Sequence, residues 1–316
     1  MAEDLVGRRV VLRRRVGERD GRPVFTDLLG DLVEADGELV IRRADGEMVA
    51  VPRSEVHRLK PVPPGREEIL ALFRIEAKGW PGPEREALGE WVLQAGEGWT
   101  RRANSALVAG DPGVPVVEAL RHVEDWYTAR GLIPRLIVPL PAMAPTDHAA
   151  NRLGWVLDVE VEVLTAPTTP VPLDPGIRFA GAPDAGWAAA YQARTVPPVG
   201  VRVLTAPETV TFGSIMDGDT TVAIGRGVVV DRWLGIAAME VLPEHRRRGL
   251  AARMLRGLLA WGAANGATRC YIQVESDNAP ALALYRGLGF TAHHRYRNRH
   301  RDPVGRTGTP RAEGIS

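Results

Sequence analysis

The stretch from Met239 to Ala251, Met-Glu-Val-Leu-Pro-Glu-His-Arg-Arg-Arg-Gly-Leu-Ala, runs from a strand into a turn that opens a helix. Such a turn suits an anion. The first N–H groups of a helix have no intrahelical partner, and the helix dipole adds partial positive charge there. Gly249 would let a ligand approach the backbone, and Arg246, Arg247 and Arg248 add charge. The same residues also read as an arginine-rich helix start facing solvent. A second polar run, Trp99-Thr100-Arg101-Arg102-Ala103-Asn104-Ser105, offers arginines suited to bidentate carboxylate binding, or simply the polar face of a half-exposed strand. Cys270, the one cysteine, has no basic or histidine neighbour in sequence and reads as a buried strand residue rather than a nucleophile. His293 and His294 would point to opposite faces of a strand, so no shared metal is expected.

These groups need elements to position them. The chain has 316 residues, 45 % hydrophobic and 25 % charged, an ordinary globular composition that excludes disorder, collagen and coiled coil. One cysteine excludes a disulfide framework. Net charge is +1, and nothing global points to nucleic acid or an anionic membrane. No apolar run is long enough to cross a membrane, and Met1–Arg15 lacks a signal-peptide core. The protein is read as soluble and cytoplasmic.

Residues 1–62 read as five short strands, among them Arg8–Val16, Gly37–Arg43, Glu47–Val51 and His57–Val62, with turn signals at Asp36-Gly37 and Asp45-Gly46. The pattern is similar to SH3-like barrels. Twelve basic residues balance twelve acidic ones there, so Arg13-Arg14-Arg15 reads as a solvated strand edge rather than a phosphate patch. That balance argues against nucleic acid. Pro61–Gly65 reads as a linker, and the proline-rich 165–175 as a second boundary unsuited to a central strand.

Between these boundaries the expected elements are helices Glu67–Lys78 and Pro83–Gln94, strand Trp99–Val108, helix Val116–Arg130, strand Leu132–Pro139 and helix Thr146–Leu153. After 175 come strand Gly176–Ala180 and helices Asp184–Arg194 and Pro207–Ile215. Strands Thr220–Gly225, Val228–Trp233 and Gly235–Leu242 follow, then helix Arg248–Asn265, strand Ala267–Val274, helix Ala279–Gly287 and strand Thr291–Arg297. Residues 301–316 are expected to form a loose tail.

A shift of 135 residues aligns the two larger regions without a gap. Ten pairs are identical between Leu120 and Gly154, including Leu120/Leu255, Trp126/Trp261, Gly131/Gly266, Ile137/Ile272 and Gly154/Gly289. Two lobes of one fold are implied, spanning 65–165 and 172–300.

The second lobe resembles the GNAT superfamily of acyl-CoA-dependent N-acyltransferases. Arg246, Gly249 and Ala251 fill its signature Gln/Arg-x-x-Gly-x-Gly/Ala, and Asn278 to Phe290 matches its Asn-x-x-Ala-x-x-Leu-Tyr-x-x-x-Gly-Phe. The resemblance implies an α/β GNAT fold, a mixed central sheet with flanking helices, duplicated and preceded by the small barrel. It implies that acetyl-CoA binds along the backbone of Met239 and Val241, with its pyrophosphate on the amides of Arg247, Arg248, Gly249, Leu250 and Ala251 and with Asn278 on the pantetheine. Tyr285 would be the general acid toward the departing thiolate; it could otherwise be an amphipathic tyrosine closing a helix face. The first lobe carries Asp111, Val114, Met143 and Ala150 opposite Arg246, Gly249, Asn278 and Tyr285, so it is expected to have lost the cofactor.

The implied activity is transfer of an acetyl group from acetyl-CoA to a primary amine, whose ammonium must first lose a proton. The two strand positions where family members carry a glutamate base hold Gly235 and Gln273 here, and the nearby Glu240 and Glu275 read as strand-end carboxylates. The base is therefore unassigned. The missing glutamates leave a CoA-binding sensor, whose barrel engages a protein, as the alternative to an enzyme.

Overall fold

Five strands fold the first part of the chain into one sheet: β1 (Arg9–Arg19), β2 (Arg22–Glu34), β3 (Glu38–Arg42), β4 (Met48–Pro52) and β5 (Val56–Pro61), in the order β4-β3-β2-β1-β5. The computed structural model describes residues 2, 5–43, 45–168, 170–191 and 196–302. Alternation puts Val10, Leu12, Leu32, Leu39, Ile41 and Val51 on the inner face of this sheet. The β1–β2 hairpin closes on Asp20-Gly21 with φ of 53° and 73°, the positive pair that such tight turns need. This turn lengthens β1 beyond the expected Val16. Strand β1 also lies between β2 and β5 rather than at an edge, and Arg13 and Arg15 pair with Asp27 and Glu18. Residues 1–65 and 66–316 are separate compact units.

The second unit is built on one mixed sheet of eleven strands. Its elements run α1 (Arg66–Gly79), β6 (Glu84–Leu88), β7 (Trp91–Ala95), β8 (Ala106–Leu107), α2 (Val116–Thr128), β9 (Arg135–Leu140), α3 (Ala144–Arg152) and β10 (Val156–Pro167). There follow β11 (Arg178–Ala180), α4 (Ala185–Ala190), α5 (Pro198–Thr205), β12 (Thr209–Asp217), β13 (Thr220–Val230) and β14 (Trp233–Val241). The chain then forms α6 (Leu250–Ala264), β15 (Arg269–Glu275), α7 (Ala279–Gly287) and β16 (Thr291–His300). Under the 135-residue shift α3 falls on α7 end to end, and β10 and β16 start in register. The parallel β8–β9 pair of the first lobe mirrors the parallel β14–β15 pair of the second.

The strand order is β11-β12-β13-β14-β15-β10-β16-β9-β8-β7-β6. Each lobe thus gives its last strand to the other. Strand β10 leaves the first lobe and pairs along seven residues with β15, while β16 leaves the second and pairs with β9. Two cores flank this seam, one around Leu164, Met254, Leu258 and Ile272, the other around Trp91, Leu120, Trp126 and Trp155.

Several expected elements differ. Residues 83–94 form the β6–β7 hairpin instead of a helix, because Gly89 turns the chain at φ 55° against the Pro112 backbone. Residues 207–215 lie mostly in strand β12, as the β-branched run Thr209-Val210-Thr211 favours. Strand β13 is continuous through Arg226-Gly227, which read as a break. There the buried Arg226 donates to the carbonyls of Leu204 and Gly79 and lies over the Trp80 ring. The expected tail begins with Arg301, whose Nε pairs with Glu124; residues 303–316 lie outside the described residues.

Candidate active site

Strands β14 and β15 pair from Trp233 opposite Arg269 to Ile236 opposite Ile272, and then part. At that point β14 bulges: Ala238, at φ 52°, and Met239 lie between the pairs Ala237–Arg226 and Glu240–Ile224. A Cβ at Gly225 would come within 2.9 Å of Met239 Sδ, so glycine there makes room for the bulge. The wedge opens into a cleft of about 1050 Å³. Met239, Asn278 and Tyr285 line one side. The first lobe contributes the other, with Trp80, Trp99, Arg101, Arg102 and Asn104.

Beyond Ile236 the edge of β14 that faces β15 carries no ladder. The Leu242 N–H donates to Val222 C=O, away from the wedge. By alternation the peptide groups of Val241 face into it, and its carbonyl accepts from Arg246 Nε at 3.1 Å. The chain then turns through Arg247 at φ 64° and Gly249 at φ 78° into α6. The first helical bond is Arg253 N–H to Gly249 C=O, so the N–H groups of Leu250, Ala251 and Ala252 have no partner in the helix. Arg246, Arg247 and Arg248 are exposed around this mouth. A Cβ on Gly249 would touch nothing. Its positive φ is what demands glycine, not crowding.

Tyr285 is 7 % exposed on α7, and burial together with the nearby Cys270 pushes its phenol up to about 12. It keeps its proton at neutral pH and can donate a hydrogen bond into the cleft. Asn278 caps α7, its Oδ1 accepting from Ala281 N–H at 3.1 Å. Cys270 is fully buried, its thiol pushed up by desolvation. The two histidines do not point apart: the β10–β16 register shifts at His293, which brings its Nδ1 within 2.9 Å of His294 Nδ1.

The polar run 99–105 is not a strand. It is a turn with a short 3-10 segment, Arg102–Asn104, organised by the Asn104 side chain. Asn104 accepts from Gly96 and Gly98 N–H and donates to the carbonyls of Trp99 and Thr100. The turn faces the cleft with Arg101, which holds Glu275 at 2.6 Å, and with Trp99 stacked on Trp80. Gly235 holds no base for a steric reason: a Cβ there would lie 2.4 Å from the Tyr271 hydroxyl. Gln273 donates its amide to Glu76 Oε2 at 2.8 Å. Sequence reasoning missed Glu76 and Trp80, which α1 and the residue following it bring to the second lobe.

In the first lobe the matching loop is filled from within. Glu90 Oε2 accepts from Asp111 N–H at 2.7 Å and Asp111 Oδ1 from Gly113 N–H at 2.9 Å. Carboxylates occupy the amides that an anion would need.

A family described as "Probable histone acetyltransferase Rv0428c C-terminal" matches residues 67–299, and one described as "Rv0428c N-terminal Sm-like domain" matches residues 5–60. The five-strand unit is thus Sm-like, compatible with the SH3-like expectation. The chain is 32 % identical over 309 residues to the probable histone acetyltransferase Rv0428c of Mycobacterium tuberculosis, covering 92 % of this chain and 94 % of that one. It is 26 % identical over 245 residues to the uncharacterized N-acetyltransferase YobR of Bacillus subtilis, covering 73 % and 98 %. A GCN5-related N-acetyltransferase from Kribbella flavida shares the fold with a TM-score of 0.57 at 17 % identity, over 75 % of this chain and 96 % of that one.

Proposed function

This chain belongs to the GNAT acetyltransferase family that includes the probable histone acetyltransferase Rv0428c, and we propose that it moves an acetyl group from acetyl-CoA to a primary amine of a small molecule or a protein. The observation that carries this reading is where β14 parts from β15. Met239 and Glu240 on the parted strand border the same cleft as the buried phenol of Tyr285, and β14 leads on through Val241 and the turn at Arg246 to Gly249 into the mouth of α6. Acetyl-CoA would supply an activated acyl group as a thioester. Met239 and Val241 would receive its pantetheine arm on their backbone, with Asn278 alongside. Arg246 and the amides from Arg247 to Ala251 would hold the pyrophosphate at the positive helix end.

Tyr285 would act on the departing sulfur. Its raised pKa keeps the hydroxyl protonated across the working range, so it has a proton to donate in a hydrogen bond to charge developing there. The Trp80–Trp99 wall and Arg101 face the acceptor's approach. The name of the mycobacterial relative points to a protein amine among the candidates.

Tyr285→Phe tests the assignment. Thioester turnover should fall by about 10²-fold or more, while acetyl-CoA affinity by calorimetry stays near the parent's. Full turnover in Tyr285→Phe would remove the tyrosine from the reaction. Acetyl-CoA binding without turnover on any amine would favour a CoA-binding sensor whose Sm-like unit engages a protein, a reading that the lack of a carboxylate at Gly235 and Gln273 supports.

A further inference from the structure

The amine must be deprotonated, and neither family position for a glutamate holds one. Behind the cleft wall lies Glu76, on α1, 4 % exposed. Its Oε2 accepts from Gln273, and its Oε1 has no hydrogen-bond partner among the described residues although it is fully buried. An orphaned carboxylate oxygen in an apolar interior is costly. It borders a cavity of about 10 Å³, close to the room one water needs. Arg102, Ile137, Gln273 and Tyr296 line both this cavity and the large cleft, so the space beside Glu76 adjoins the acceptor's approach.

We propose that Glu76 is the proton acceptor of the acetyl transfer, working from behind the cleft wall through a water held in this small cavity. The proposal rests on the acetyltransfer reading given above and adds the group that reading lacks. The acceptor's ammonium gives one proton to the water, which passes one to Glu76 Oε1. The freed lone pair forms the N–C bond as the thioester C–S bond breaks, and the second nitrogen proton goes to the departing sulfur on the Tyr285 side. Glu76 returns its proton to solvent between turnovers.

Proton affinity fits this role. Desolvation pushes Glu76 up to about 8. An alkyl ammonium lies at about 10.4, so the transfer is uphill by roughly two powers of ten instead of the roughly six that an ordinary carboxylate would face. The charged and titratable groups facing Glu76 are Arg102, which favours its ionised form, and the phenols of Tyr271 and Tyr296, both pushed up and neutral. Arg226 binds the carbonyl at the end of the same helix. An acceptor of this kind works only when deprotonated, so the rate should rise through pH 8.

The test is the pH profile of acetyl-CoA turnover on a panel of primary amines, from pH 6 to 10, for the full chain and its variants. The parent should show a limb near pH 8. Glu76→Gln should lose that limb and at least tenfold of the rate at pH 9, with unchanged acetyl-CoA affinity and an unfolding midpoint no lower than the parent's. Glu76→Asp should keep a limb and part of the rate. A Glu76→Gln protein with the parent's rate and profile overturns this inference alone. A parent that binds acetyl-CoA and acetylates no amine overturns the acetyltransfer reading, and this inference with it.

Discussion

Glu76 exposes a difference between chemistry that is written locally and chemistry that is assembled. Its burial has a cost that pH controls. The folded pKa of about 8 lies above the ordinary 4.5, so the folded chain binds more protons than the unfolded one between these values. The stability this contributes is present in full below about pH 4.5 and is lost as pH rises through 8. Glu76→Gln cannot ionise and escapes that loss. Its unfolding midpoint should match the parent's near pH 5 and exceed it at pH 9, where the difference amounts to a few kcal/mol at most. Equal midpoints at both pH values would mean that Glu76 is solvated. Sequence reading pointed to Met239 from one motif and to Asn278 and Tyr285 from another, each motif lying within a single stretch of chain, and all three residues line the cleft. It did not find Glu76, which hydrogen-bonds a glutamine 197 positions away. No spacing rule connects an amphipathic helix at 66–79 with a strand at 269–275.

At the scale of elements, the turn into α6 and the cap of α7 can each be separated from ligand binding. Gly249 sits at φ 78° with open space around it. Gly249→Ala should therefore cost about 1–2 kcal/mol of backbone strain and weaken acetyl-CoA by distorting the amides that would hold it. Gly249→Glu should abolish binding, because it adds a negative charge beside the amides that would hold the pyrophosphate. Calorimetry with acetyl-CoA reads both. Asn278 has two functions to distinguish. Asn278→Asp keeps the oxygen that accepts from Ala281 N–H, so the unfolding midpoint should hold while affinity falls if the amide donor meets the pantetheine. Asn278→Ala should lose both, with about 1 kcal/mol from the missing cap. These two helices were legible in the sequence because apolar spacing and their starting residues agree. The hairpin at 84–95 was not. Glu, Ala and Leu favour helix there, and tertiary pairing with the rest of the sheet overrides that preference. Its one turn signal was a lone Gly89 between apolar runs. In β13, Arg226 concealed a strand because an arginine is rarely the middle of a core element, and only the carbonyls of Leu204 and Gly79 make it one.

At the scale of the molecule, the exchanged strands decide what can fold alone. The 135-residue repeat reads as two tandem lobes, and a division near 165–175 follows from the prolines. The sheet does not respect that division. Strand β10 comes from the first lobe and lies between β15 and β16, with Val163 and Leu164 fully buried and Val161 nearly so. Three such side chains contribute roughly 5–9 kcal/mol between them, comparable to the whole stability of an ordinary domain. The seven-residue ladder to β15 adds to that, and its loss would bare the edge of the strand that carries Gln273. Sequence reading could not reveal the exchange, since it placed no strand between Leu153 and the prolines at 165–175, whereas β10 runs through Pro167 in the middle of the sheet. A fragment of residues 172–302 should accordingly be aggregated or unfolded, whereas 66–302 should unfold in one transition and bind acetyl-CoA as the full chain does. Adding a peptide of residues 154–168 to the short fragment should restore part of its structure. Circular dichroism and thermal melts of the three samples check this. A short fragment that melts cooperatively and binds acetyl-CoA unaided would show that β10 is dispensable, and that the second lobe closes its own sheet.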